Sequence, residues 1–150
     1  MIRDATMLDI PVLLELGKEM HAESAFSYLP FDEKKVSGLL AALISSPDGC
    51  LLVYEEKNEV VGGLAAVSCP FFFCHEVFAT DLAVFVRKSR RGGRAVIELT
   101  RGYSEWADGR PAVRETHLGV STGLKTDSVA KLYQRLGFSP RGGTFSRRVR

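Results

Sequence analysis

The apolar positions of this chain repeat with helical and strand periods in alternation. Ile10, Leu13, Leu14, Gly17 and Met20 fall at helical spacing, and Val36, Leu39, Leu40, Leu43 and Ile44 form a second stripe. Thr6-Met7-Leu8-Asp9 has the Ser/Thr-x-x-acid form of a capping box, which sets the start of the first helix. Pro11 lies in its first turn, where a missing N–H does little harm. Asp32 is placed to cap the second helix, and Pro47-Asp48-Gly49 ends it. Residues 2–5 read as a short first strand, and residues 50–55 and 60–67 as a hairpin around a polar turn at Lys57-Asn58. Residues 77–86 are the longest strand candidate. A long helix follows over about 93–107, with its stripe at Val96, Leu99, Thr100, Tyr103 and Trp106 and a stop at Asp108-Gly109. Residues 115–120 are a further strand. A helix starting at Asp127 or Ser128 runs to Gly137, and two short strands near Phe138 and over 144–149 close the chain. Residues 22–31 form an irregular aromatic link, and residues 69–75 a loop or strand end containing Phe71-Phe72-Phe73. The order is that of one α/β domain over residues 1–150, with no internal repeat or linker.

Composition narrows the class. At 150 residues the chain has the length of one domain and can bury about 68–70% of its unfolded surface without staples. Its 45% hydrophobic and 25% charged residues exclude a disordered or fibrous protein. No apolar run reaches the ~20 residues of a membrane span, and Met1-Ile2-Arg3-Asp4 leads into no signal-peptide core, so a cytoplasmic protein with no membrane partner is expected. Three cysteines, Cys50, Cys69 and Cys74, are too few and too odd for a disulfide framework. Cys69 and Cys74-His75 lack the second ligand pair that zinc spacing requires, so no metal is expected.

The net charge of +2 does not by itself imply a nucleic-acid partner, but the basic residues are unevenly placed. Arg87, Lys88, Arg90, Arg91 and Arg94 crowd the entry to the long helix, and Arg141, Arg147, Arg148 and Arg150 load the tail. Cations at a helix N-terminus oppose the helix dipole by about 0.3–1 kcal/mol each. Clustered there beside Gly92 and Gly93, they are explained by an anion among them, bound by unpaired N–H groups that glycine lets a ligand approach. The other reading is a solvated basic turn. No Gly-Lys-Ser/Thr and no Gly-x-Gly-x-x-Gly is present, so neither a nucleotide P-loop nor a dinucleotide fingerprint is supported.

Arg90-Arg91-Gly92-Gly93-Arg94-Ala95 resembles the Arg/Gln-x-x-Gly-x-Gly/Ala signature of the GNAT superfamily of N-acetyltransferases. A second register aligns Val86 and Arg91-Gly92 with the family's Val-x-Pro-x-x-Arg-Gly, with Lys88 in place of proline and Arg94 in place of a glycine. The opening Ile2-Arg3-Asp4-Ala5-Thr6, the run Val61-Gly62-Gly63-Leu64-Ala65, and Ser128 to Tyr133 followed by Leu136-Gly137-Phe138 are similar to the family's first strand, third strand and late helix. Short phage and bacterial acetyltransferases are the nearest type. The resemblance implies a mixed, mostly antiparallel sheet of six to seven strands flanked by about four helices. It implies acetyl-CoA as donor, with its pyrophosphate on the backbone of Arg91, Gly92, Gly93, Arg94, Ala95 and Val96 in either register. Its thioester arm would lie along Ala83, Val84, Phe85 and Val86, and Ser128 stands where the family often has an asparagine that contacts the arm. Homodimers are common in the family.

Transfer of an acetyl group to an amine requires a neutral amine, a donor for the developing oxyanion, and a proton for the departing thiolate. A lysine-like amine near pH 7 costs about 4–5 kcal/mol to deprotonate, so a base or a water path helps. Tyr133 is the candidate acid, since a phenol keeps its proton at neutral pH. Its helical neighbours Val129, Leu132 and Leu136 equally suit a core tyrosine. Asp81 and Glu76, near the start of the fourth strand, are candidate bases. His117 and His21 are candidate substrate contacts, and Phe26 and Tyr28 stand where the family builds the acceptor pocket. The acceptor class is a small-molecule or peptide amine. A nucleic-acid-binding module and a CoA-binding protein without activity are the competing readings.

Overall fold

The computed structural model describes residues 1–120 and 125–150. Five strands form one sheet in sequence order: β1 (Ile2–Asp4), β2 (Gly49–Glu56), β3 (Glu59–Pro70), β4 (Val77–Val86) and β5 (Val113–His117). The first four pair antiparallel, and β5 runs parallel to β4. Four helices accompany them: α1 (Ile10–Glu23), α2 (Glu33–Ser45), α3 (Ala95–Asp108) and α4 (Thr126–Arg135).

Local chemistry sets these boundaries. Asp9 accepts from the Thr6 amide at 2.7 Å and is gripped by Arg3 at 2.8 Å, which also holds Glu55 at 2.8 Å. This cluster ties β1 and β2 to the turn that opens α1. Asp32 accepts from the Lys35 amide at 2.9 Å and so caps α2. Gly49, the first residue of β2, lies so close to Leu43 that an added Cβ would sit 2.3 Å from the Leu43 carbonyl. The hairpin turn Lys57-Asn58 takes left-handed backbone at both residues, as a two-residue turn requires.

The sheet is covered on both faces. On one, α3 supplies Leu99, Tyr103 and Ala107 against Leu64, Ala66, Ala79 and Val86. On the other, α1 and α2 supply Leu13, Leu16, Leu40 and Leu43 against Val53, Ala65 and Phe85.

Three expectations need correction. Among the described residues the sheet has five strands, not six to seven, because residues 138–150 do not join it. Pro140 lacks a donor and Gly142-Gly143 offers no side chain to pack. The apolar residues of the tail stay in solvent, Phe145 at 100% exposure. Arg141 instead pairs with Glu115 of β5, and the Arg148 guanidinium lies 3.4 Å from the centre of the Tyr28 ring. The last sheet strand is Val113–His117 rather than 115–120. The long helix begins at Ala95 rather than Gly93, because Gly92 takes φ +81 and the chain turns there.

Candidate active site

A β-bulge organises the site. Ala65 of β3 pairs with Ala83, whereas the next residue, Ala66, pairs with Asp81, so Leu82 is the extra residue on β4. Before the bulge, Ala79 packs on the α3 face; after it, Ala83 and Phe85 pack on the α1/α2 face and Val84 and Val86 on the α3 face. Asp81 therefore shares the α3 face with Ala79. On its other side β4 pairs with β5 only from Val77 to Thr80, the last partner being His117. Among the described residues no strand pairs that edge of β4 from Asp81 to Val86. The two strands part, and the backbone of Ala83, Val84, Phe85 and Val86 borders the gap.

Asp81 and Tyr133 stand on the same side of this gap. The Asp81 carboxylate accepts from the Gly119 amide at 2.8 Å, clasping the chain beyond β5 to β4. Burial raises its pKa, and the bond from Gly119 opposes the rise. Tyr133, on α4, is buried, with its ring 6.2 Å from that of Phe138. Burial first, and the negative charge of Asp81 second, push its hydroxyl up to about 12. Tyr103, below, donates to the His117 carbonyl at 3.0 Å.

At the far end of β4 the glycine turn enters α3. The first amide bonded back along this helix is that of Glu98, which donates to Arg94. Among the described residues no acceptor meets the amides of Gly92, Arg94, Ala95, Val96 or Ile97. Gly92 holds left-handed backbone where the chain turns into α3, at a position where an L side chain is strained. The turn's cations are restrained from below. Arg91 donates to the Val86 carbonyl at 3.0 Å and pairs with Glu23 of α1. The Lys88 amide donates to Glu19 at 2.8 Å, and Arg90 and Arg87 lie 3.7 and 3.9 Å from Glu56 and Glu59. Arg94, 83% exposed and 4.0 Å from Glu98, and the exposed Lys88 side chain are the least restrained cations of the turn.

The remaining candidates divide. His117 lies at the parting of the strands with Glu115 at 2.9 Å. Phe26 and Tyr28 are exposed on the α1–α2 link, and His21, at the end of α1, packs its ring 5.5 Å from that of Phe31. Ser128 is exposed in the first turn of α4. Glu76 is not brought to the gap: it precedes β4, five residues from Asp81 or about 16 Å of extended chain, and its nearest cation is Arg114 at 3.7 Å. Sequence reasoning did not find Glu19, Glu115 or Arg141 as contributors. Glu19 and Arg141 meet partners 69 and 26 residues away, and Glu115 meets His117 because alternate residues of β5 share a face. Among the described residues no group of three His, Cys, Asp or Glu side chains is placed to hold a metal ion. No described helix is long and apolar enough to cross a membrane.

No protein-family model and no curated protein sequence matches the chain. Solved structures do match it in fold. A ribosomal-protein-alanine N-acetyltransferase from Brucella melitensis biovar Abortus 2308 aligns over 99% of both chains with a TM-score of 0.72 at 14% identity. An aminoglycoside acetyltransferase from an uncultured soil metagenomic sample aligns over 100% of this chain and 98% of its own, with a TM-score of 0.72 at 18% identity. A transcriptional regulator from Bacillus halodurans C-125 reaches a TM-score of 0.77 over 99% and 98% of the two chains at 19% identity. At these identities the likeness is one of architecture.

Proposed function

We propose that this chain, which has the GNAT fold, is an N-acetyltransferase that uses acetyl-CoA. The observation that carries the reading is the row of unpaired amides at the start of α3, set at the end of a strand that has parted from its neighbour. Such a row binds phosphate oxygens. The resident acids favour this reading over nucleic-acid binding. Glu19, Glu23, Glu56 and Glu59 engage the turn from below, leaving its amides, rather than a broad cationic face, for an anion.

The residues present fit the donor. The amides from Gly92 to Val96 would hold its pyrophosphate, and the unpaired edge of β4 from Ala83 to Val86 would hydrogen-bond its arm. Acetyl-CoA supplies an activated acetyl thioester there. A backbone N–H beside the bulge is the candidate oxyanion donor, since bulged backbone is not consumed by the ladder. Tyr133 holds a proton on the α3 side of the gap. With its hydroxyl near 12, against about 8.5 for an ordinary thiol, full transfer to a thiolate would be uphill by roughly 4–5 kcal/mol. Tyr133 therefore acts by donating a hydrogen bond to the sulfur as charge grows on it, with the proton following late. Ser128 would lie beside the arm. The acceptor is an amine, reaching the gap from the side of Phe26 and Tyr28.

Calorimetric titration with acetyl-CoA tests the reading: saturable binding is expected, and no heat at millimolar ligand overturns it. Thiol release across a panel of amines then separates an enzyme from a CoA-binding protein without activity.

A further inference from the structure

Resting on the acyl-transfer reading, we propose that His117 is the general base that takes the proton of the acceptor amine, and that Glu115 and Arg141 are positioning residues that hold its ring. The first support is the face on which His117 stands. A slip in the β4–β5 register, where Val77 pairs with Val113 but Phe78 with Glu115, turns Glu115 and His117 to the side of Phe78 and Thr80. That is the α1/α2 side, opposite Asp81. The His117 and Phe78 rings lie 4.9 Å apart at 30°. Acid and base then flank the gap from opposite faces, with His117 facing the side that carries Tyr28 and the C-terminal tail.

The second support is orientation. His117 Nε2 lies 2.9 Å from Glu115 Oε2, and an ionised carboxylate only accepts, so Nε2 carries the proton and Nδ1 is the basic nitrogen. Glu115 is itself held by both Arg141 nitrogens, at 2.6 and 3.0 Å. Arg141 first and His117 second keep its carboxyl down at about 2, so it stays ionised across the working range. Tyr103 fixes the strand from beneath through the His117 carbonyl. The His117 side chain is 36% exposed, within reach of an incoming amine. Asp81 is less suited, because its Oδ1 already serves the Gly119 amide and it faces Tyr133.

The step balances. The amine lone pair forms the new N–C bond, and the C–S bond breaks with its pair on sulfur. The amine proton passes to His117 Nδ1, and the sulfur receives the Tyr133 proton. Both side chains then re-equilibrate with solvent.

The charged groups beside the His117 side chain are Glu115 on its own strand and Arg141 on the tail, and from the other face of the sheet the nearest titratable groups are Asp81 on β4 and the Tyr103 hydroxyl on α3. The experiment follows kcat/KM against pH, with acetyl-CoA and the best amine of the panel, for the wild type, His117→Ala, His117→Gln, Glu115→Gln and Asp81→Asn. A wild type that binds acetyl-CoA and acetylates nothing overturns the transferase reading before any variant is compared. In an active enzyme, both His117 variants are expected to lose about 100-fold or more while acetyl-CoA affinity holds within about twofold, and added imidazole should restore part of the alanine variant's rate. Glu115→Gln should lower kcat while the amine KM and acetyl-CoA affinity hold, because the ring loses the carboxylate that orients it, and Glu115→Asp should recover part of that rate. The inference is overturned if His117→Gln keeps the wild-type rate and limb, if Asp81→Asn abolishes the limb that the His117 variants keep, or if Glu115→Gln keeps the wild-type kcat.

Discussion

Single side chains decide both the chemistry and its frame. Tyr133→Phe removes the hydroxyl and keeps the ring against Phe138. It should lower kcat by about 100-fold with acetyl-CoA affinity unchanged, as measured by paired kinetics and calorimetry. Gly92→Ala places a Cβ on left-handed backbone at φ +81, a strain of ~1–2 kcal/mol. Space is open around it, so the turn will relieve that strain by moving its amides. Acetyl-CoA affinity should fall about 5- to 30-fold while the thermal midpoint hardly changes. Away from the site, Asp9 is held near 2 chiefly by Arg3, below its unfolded value of about 3.9. A carboxyl depressed in the folded state contributes stability that is complete above the unfolded value and is lost as pH falls through the folded one. Thermal melts should therefore show stability dropping between about pH 4 and 2, and Asp9→Asn should flatten that part of the curve from a lower starting point.

Among the elements, β4 carries most of the design. Its sequence, Val77 to Val86, is apolar on both faces, so no alternation marks the residue at which the strand slips. The strand's limits were legible from its composition, and the bulge at Leu82 was not. The same holds for β5, whose slip decides which face His117 serves. The helices were legible because their stripes are long: the positions read for α3 include Leu99, Thr100 and Tyr103, each fully buried. The glycine turn stood out because its cations contradict the helix dipole, which is the ground for its proposed reading as an anion seat. Its supports on α1 were hidden by 68 and 69 residues of separation. The tail misled, since Thr144 to Val149 has a strand's length and composition, while its arginines find partners on β5 and on the α1–α2 link. Leu99→Ala would open a hole between α3 and the Gly62 backbone, and urea unfolding should register a loss of ~2–5 kcal/mol.

At the level of the whole molecule, one sheet separates two apolar layers, and the gap in that sheet joins the two sides. The proposed acid stands with the α3 layer, and the proposed base and acceptor with the α1/α2 layer. Helix α1 reaches from one function to the other: it bears Glu19 and Glu23 beneath the glycine turn and leads directly into the link that carries Phe26 and Tyr28. Because those two acids brace the turn from beneath, the proposed phosphate seat is finished furniture rather than something a visitor must assemble. Docking there should freeze little backbone, and its heat-capacity change should match the apolar area the visitor covers, with no added increment from a folding loop.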